Sequence, residues 1–513
     1  MKLKNSPSIK VGIGIFLSRI VGLIREALFA NFFGNTIYAD AFRSAVRIPN
    51  LLQNLFGEGV LSACFIPTYS KIVERDKSEG AKLAISVLYS LILILLILSI
   101  LGIVFSHELV TILAPGFQPE AKNITAELIQ ILIPGISFLV LSALCLGILN
   151  SHRSFFLPYI SPVFWNLIII AGLCFFMISH NDHQSIKRLA WIFSIASFGQ
   201  FIIQVPKVLK LNPQIKEKLT TKPNFKDENF KIVFQNFVPT FVGRGSLQIS
   251  TFFDNIFASA LPIGSVSTQN YAQLIYMLPI SLFGMSISAS ELPELSKLGT
   301  NEEINSRLSK AVEKLTFLAL FVSTFFLFNG ISFVRLFLES GKFTQEDSYI
   351  VFQATSVMML GLLPAMTSRV MSTSFYAIQK AKLPYRISIF RTVIGILLGY
   401  FSIKSFNTNF YLLSFQVYPL TILSLVSTVI SYLEFALLNY ACKREFNYIF
   451  NFQFLLFSLM MTLIGSLIAS LAMHGLNLES NSKVDLLLTC LISGCIYLAI
   501  NYLFKNRIKQ LAT

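Results

Sequence analysis

Charge is what this 513-residue sequence has least of. Only 13% of it is Asp, Glu, Lys or Arg, about half the share of a soluble domain. That excludes an ordinary water-soluble globular protein. With 54% hydrophobic residues and a mean hydropathy of +0.66, the chain reads as a polytopic membrane protein. Acid is scarcer than base: 26 Asp and Glu stand against 41 Lys and Arg, a formal charge of +15. In a chain this apolar the excess reads as basic cytoplasmic loops, not as a nucleic-acid surface. The six cysteines (64, 145, 174, 442, 490 and 495) form no CxxC or other metal spacing, which argues against a zinc site or a disulfide framework. There are five histidines, and none lies on the polar stripes described below. No HExxH, no Ser/His/Asp arrangement and no GxxxxGK[ST] is present, so ATP is not expected as the direct energy source. His180 and His183 read as members of a solvated loop. No cofactor, no metal and no enzymatic activity are expected. The basic start MKLKNSPSIK is like that of a signal peptide, but Arg19 interrupts the apolar run behind it. No small-residue cleavage site follows, so a retained first helix is expected.

What is present is a long series of apolar segments, each near the roughly 20 residues that cross a bilayer. They fall at 9–32, 38–70, 83–106, 122–149, 155–179, 187–206, 230–261, 266–295, 311–334, 347–379, 384–403, 411–440, 451–473 and 484–504, fourteen in all. With both termini inside, the inner segments hold 27 Lys and Arg and the outer loops hold 7. That bias supports the even count and the orientation. The seven basic residues left within spans are Arg19, Arg25, Arg43, Arg47, Arg244, Arg369 and Arg391, every one an arginine. Arg stays charged in almost any environment and can clamp a phosphate with two parallel hydrogen bonds. A faint repeat is also visible. LFANFFGNTIYAD (28–40) echoes IFASALPIGSVSTQNYAQ (256–273), PGF (115–117) lies one repeat from SGKF (340–343), and FFLPYIS (155–161) echoes AKLPYRIS (381–388). Separations of 226 to 233 residues, six spans, imply two halves of the same orientation.

Three spans carry polar stripes. In the first, Gly14, Ser18 and Gly22 make a small-xxx-small row with Arg25 on the same face, so Arg25 is expected to point into protein. Arg19 lies on another sector, where it either flanks the site or pairs with an acid for structure. In the second, Asp40, Arg43, Arg47, Asn50, Asn54 and Glu58 occupy an arc of roughly 80° on a straight helix. Such a stripe lines a hydrated cavity or forms a static ion-pair network, for example Asp40 with Arg43. Pro49 is expected to bend that helix. In the seventh, Arg244, Gln248, Thr251 and Asn255 share a face with Asp254 at its edge. Arg369 and Arg391 are expected to reach the inner interface with their long side chains. The cationic excess of the stripes favours an anionic ligand, with phosphate or diphosphate best matched to Arg forks.

SRIVGLIREALFANFFG followed by YADAFRSAVRIPNLLQNLFGEGVLSACFIP resembles the opening of the MviN/MurJ lipid II flippases of the multidrug/oligosaccharidyl-lipid/polysaccharide exporter superfamily. APGF (114–117), ILN (148–150), GKFT (341–344) and FYAIQKAKLPY (375–385) are similar to later landmarks in the right order. The resemblance implies two six-helix lobes, 1–212 and 213–445, around a central cavity, with a C-terminal helix pair at 446–513 forming a lipid-tail groove. It implies a bacterial inner-membrane location and alternating-access transport of undecaprenyl-diphosphate-linked disaccharide-pentapeptide. Ser18, Arg19, Arg25, Arg43, Arg47, Asn54, Arg244 and Gln248 are the expected substrate contacts, and Glu26, Asp40, Glu58 and Asp254 the expected gating or ion-pairing acids. Two family charges are absent, at Gln53 and at Gln273–Leu274, and Arg43 and Arg244 are candidates to replace them. A monomer among membrane lipids is expected, and no coupling ion is named by these residues. The alternatives are a polysaccharide-lipid flippase or drug/cation antiporter of the same superfamily, and a non-transporting scaffold with static ion pairs.

Overall fold

The computed structural model describes residues 7–176, 182–405, 410–412, 415–475, 487–488, 491–492 and 495. They are overwhelmingly helical, and the chain divides into two compact units, 1–266 and 267–513. The first unit holds α1 (Pro7–Phe33), α2 (Ile37–Leu52), a π-helical segment (Gln53–Leu61), α3 (Ser62–Arg75), α4 (Lys77–Val104) and α5 (Ser106–Leu113). It continues with α6 (Pro119–Ser151), α7 (Phe156–Phe176), α8 (Asp182–Ile202), the short α9 (Val205–Leu211) and α10 (Gln214–Lys218), and α11 (Glu228–Ser259). The second unit takes in all but the first residues of α12 (Ser265–Pro279), then a second π segment (Ile280–Met285) and α13 (Ser286–Leu295). After these come α14 (Asn301–Leu338), α15 (Gln345–Leu360), α16 (Leu362–Ala377), α17 (Lys382–Ser405), α18 (Pro419–Phe446) and α19 (Phe452–Gly475).

Twelve of the fourteen expected spans fall on these helices, most to within a few residues, although α14 begins ten residues before the ninth. The last, 484–504, lies almost wholly outside the described residues. The twelfth, expected at 411–440, begins later. Phe410–Leu412 and Phe415–Val417 pair as a two-stranded antiparallel hairpin, and α18 starts only at Pro419. Proline at the first helical position has its φ preset for a helix and no N–H to leave unsatisfied. Several helix starts are fixed by side-chain caps, which satisfy backbone donors that a helix start leaves free. Thr36 caps α2, Asp76 caps α4, Asp227 caps α11 and Thr300 caps α14. Thr344 and Asp347 form a reciprocal capping box on α15.

Among the described residues, eight helical segments are long and apolar enough to cross a membrane, and α15 with α16, bent by 44°, makes a ninth. Helices α1, α2 and α11 are not in that set, and they carry Arg25, Glu26, Arg43, Arg47 and Asp254.

The segment 38–70 is interrupted where Pro49 was expected to bend it. Pro49 sits inside α2, and from Gln53 the backbone runs as a π-helix to Leu61 before α3 resumes. A proline has no N–H for the bond to its i−4 carbonyl and crowds it, and wider π turns absorb the mismatch. The second unit repeats the device: Pro279 ends α12 and the chain continues as π-helix at Ile280–Met285. Helices α6 and α15 begin 226 residues apart, at 119 and 345, and so do α7 and α17, at 156 and 382.

Two glycines fix close approaches. A Cβ on Gly14 would stand 2.9 Å from the Tyr159 backbone, so α1 meets α7 nearly backbone to backbone. Gly264 has φ +92°, and its N–H donates to Asp40 Oδ2 at 2.6 Å. A Cβ there would lie 2.7 Å from the Asn35 carbonyl oxygen. Gly264→Ala is therefore expected to cost about 1–3 kcal/mol and to lower the apparent Tm of the purified protein. A Tm equal to that of the parent would contradict the assigned turn.

Candidate functional site

The small-residue row of α1 brings α7 close enough for Arg25 to reach it. Arg25 Nη1 donates to Asn166 Oδ1 at 2.9 Å, while Asn166 Nδ2 donates to the Pro162 carbonyl at 2.9 Å and so orients the amide. The Arg25 guanidinium lies 4.9 Å from the ring centre of Trp165 and 5.9 Å from that of Phe193. Trp165 is held in turn by its Nε1–H donating to Ser197 Oγ at 3.2 Å.

Glu26 is the centre of the cluster. Arg25 donates to its Oε1 and Arg43, from α2, donates to its Oε2. The Glu26 side chain is 7% exposed, and those of Arg25 and Arg43 are 19% and 13% exposed. Arg43 also stacks over Phe29 at 4.3 Å. One carboxylate thus accepts from two guanidiniums in a largely apolar box. Desolvated cation–π contacts are worth about 2 kcal/mol, which helps two cations share one acid.

The other expected residues fall around this cluster in unit 1. Arg47 is half-buried, and Asp254 on α11 bears on it electrostatically. Asp40 accepts from Gly264. Asn255 is buried and donates to the Leu113 carbonyl at 2.9 Å and to Ser44 Oγ at 3.3 Å, which ties α11 to α2 and to the end of α5. Ser18 is half-buried, with its carbonyl facing Asn166 Nδ2 at 3.5 Å. Arg19 and Asn54 are exposed. The side chains of Glu58, Arg244 and Gln248 lie outside the described residues. The structure therefore joins Arg25, Glu26 and Arg43 directly, and couples Arg47 to Asp254.

Arg369 and Arg391, expected at the inner interface, share a cavity with an acid. Both line a cavity of about 580 Å³ within unit 2, facing Glu434. Each sits eight or nine residues from the turn joining α16 to α17, about 12–14 Å at 1.5 Å per residue. The available signal was a lone acid, Glu434, within the twelfth span, matched by arginines in the tenth and eleventh.

The helices and the buried ion cluster define a multi-pass membrane transporter of the fourteen-helix exporter fold, not an enzyme. The family model described as lipid II flippase MurJ matches residues 29–492, and the chain belongs to that family, whose bacterial members reside in the inner membrane. A probable lipid II flippase MurJ from Buchnera aphidicola subsp. Schizaphis graminum is 33% identical over 429 residues, 80% of this chain and 82% of the relative. A solved structure of lipid II flippase MurJ in an inward closed conformation superposes with TM-score 0.79 at 26% identity, covering 98% of this chain and all of that one. An inward-facing multidrug resistance MATE family transporter of the MOP superfamily gives TM-score 0.64 at 15% identity, covering 86% and 98%. The last of these speaks for the fold alone.

Glu26→Gln leaves two buried guanidiniums without their acid, a loss on the order of 3–5 kcal/mol for an uncompensated buried charge. Arg43→Gln leaves Glu26 still paired with Arg25 and is expected to cost less. Thermal unfolding of the purified variants checks the ranking, and an Arg43→Gln protein less stable than Glu26→Gln would contradict it.

Proposed function

We propose that this protein moves lipid II, the undecaprenyl-diphosphate-linked disaccharide-pentapeptide, from the inner to the outer leaflet by alternating access. The observation that carries the reading is the Arg25–Glu26–Arg43 cluster: two guanidiniums gathered on one carboxylate and fixed in an apolar setting within a chain of the MurJ family. A guanidinium has five donors, and on Arg25 Glu26 and Asn166 occupy only part of that capacity. A diphosphate offers two groups of oxygens for the remainder. Charge-assisted, forked hydrogen bonds of this kind are strong and directional.

The proposed topology follows the sequence. Both termini face the cytoplasm, as the Lys and Arg bias directs. Residues 1–212 and 213–445 act as the two lobes, and the helix pair of 446–513 carries the polyprenyl tail. The monomer is the working unit. Arg19, Arg47, Asn54, Arg244 and Gln248 complete the headgroup contacts, and Asp40, Glu58 and Asp254 change partners as the lobes move. Binding equally well in both states would shift nothing, so the ion pairs have to differ between inward-open and outward-open forms. A drug/cation antiporter is the weaker reading, because its site calls for acids facing a cation, whereas here the acid Glu26 is taken up by two arginines in a chain of the lipid II flippase family.

Depletion of the protein in cells lacking a redundant flippase is expected to leave lipid II accumulating in the cytoplasmic leaflet, followed by lysis. Leaflet-resolved labelling of lipid II checks this, and an unchanged outer-leaflet signal would reject the reading. Re-expressed Arg25→Ala, at equal protein level, is expected to restore little of the outer-leaflet signal, and full restoration would remove Arg25 from the site.

A further inference from the structure

The cavity inside unit 2 has a charge pattern of its own. Arg391 Nη1 donates to Glu434 Oε2 at 2.5 Å, joining α17 to α18. Arg369, on α16, feels Glu434 and Arg391 through space but makes no ion pair or side-chain hydrogen bond among the described residues, and its side chain is exposed to the cavity. Two guanidiniums against one carboxylate leave one free positive charge. The wall is otherwise rich in hydroxyls. Ser368 is 2% exposed, lines the cavity, and its Oγ has no hydrogen-bond partner among the described residues. Ser288 Oγ, on the opposite wall from α13, is likewise unpartnered. A serine within a helix ordinarily bonds back to its own turn, so a buried hydroxyl left free beside an uncommitted guanidinium is poised for a ligand.

We propose that this cavity is an oxyanion site that receives a phosphate or diphosphate group between Arg369 and Arg391, with Ser368 and Ser288 as further donors. About 580 Å³ is within the range of a small-molecule site and exceeds what an inorganic halide needs. Planar guanidinium forks match a tetrahedral oxyanion, and the surrounding hydroxyls match a sugar attached to it. An incoming oxyanion displaces Glu434 from Arg391, so the carboxylate acts as an internal competitor that keeps the empty site neutral enough to be buried. As an occupant from the lipid-linked cargo the proposal rests on the flippase reading, whereas the oxyanion chemistry does not.

The test uses the full-length protein in phosphatidylcholine nanodiscs, titrated with farnesyl diphosphate, inorganic pyrophosphate and farnesol. Arg369→Gln is expected to weaken farnesyl diphosphate binding by at least about tenfold, the loss of a charge-assisted contact. Glu434→Gln is expected to tighten it, and Arg307→Gln, whose side chain pairs with Glu291 elsewhere in unit 2, to leave it unchanged. Should Arg369→Gln fail to fold, the direction of the Glu434→Gln change decides alone. Affinity unaltered by both variants, or farnesol binding as tightly as farnesyl diphosphate, would overturn the site. Farnesyl diphosphate binding more tightly than pyrophosphate assigns the site to a lipid headgroup, and equal binding assigns it to free phosphate. Loss of binding in Arg369→Gln with normal lipid II distribution after depletion would keep this site and reject the flippase reading. The converse result would reject this site alone.

Discussion

The structure of unit 1 turns on one carboxylate serving two cations. Glu26 is buried, and the two arginines it holds lie over Phe29, Trp165 and Phe193, a setting where an unpaired charge would be costly. Removing water from an ion costs several kcal/mol even after relaxation, and each partner here meets part of that cost for the others. The arrangement also fixes geometry. Arg25 reaches α7, Arg43 belongs to α2, and Glu26 belongs to α1, so the ion cluster dictates how three helices face one another. Gly14 makes the same demand sterically, since only a residue without a side chain admits the Tyr159 backbone. Close packing and charge neutralisation therefore select the same helix arrangement.

The second constraint is the interruption of otherwise regular helices. Pro49 precedes one π segment and Pro279 another, in positions about one repeat length apart. Within a bilayer, backbone groups released by such breaks have to be satisfied by neighbouring protein or a hydrated cavity. π segments of this kind gather at functional sites. Here each lies next to a polar feature, the Arg43–Arg47 stretch in unit 1 and the Ser288 wall of the cavity in unit 2. Each half of the repeat has thus kept an irregular helix beside its buried charge.

Much of this was legible in the sequence for simple reasons. Spans of about 20 apolar residues leave a strong mark, and the Gly14–Ser18–Gly22 row pointed Arg25 towards protein because three small residues on one face only suit a close neighbour. Long-range pairing was less legible. Arg43 finds Glu26 seventeen residues back, on another helix, and Arg391 finds Glu434 forty-three residues on. Spacing along one helix cannot reveal either partner. The path of the chain beyond Gln53 was less legible for a related reason: a proline announces a break but not the π-helix that follows it. The late start of α18 was hidden because the Phe410–Val417 hairpin is as apolar as the helix behind it.

The central claim is that the guanidiniums held by Glu26 serve a lipid-linked diphosphate that crosses the membrane through this protein. The most direct measurement is the transfer of fluorescently labelled lipid II between leaflets of proteoliposomes containing the purified chain, read by quenching from outside. The account predicts transfer well above that of protein-free vesicles, lost when Arg25 and Arg43 are both replaced by glutamine in a protein that still folds. Transfer no faster than in empty vesicles, or undiminished by that double replacement, would contradict it.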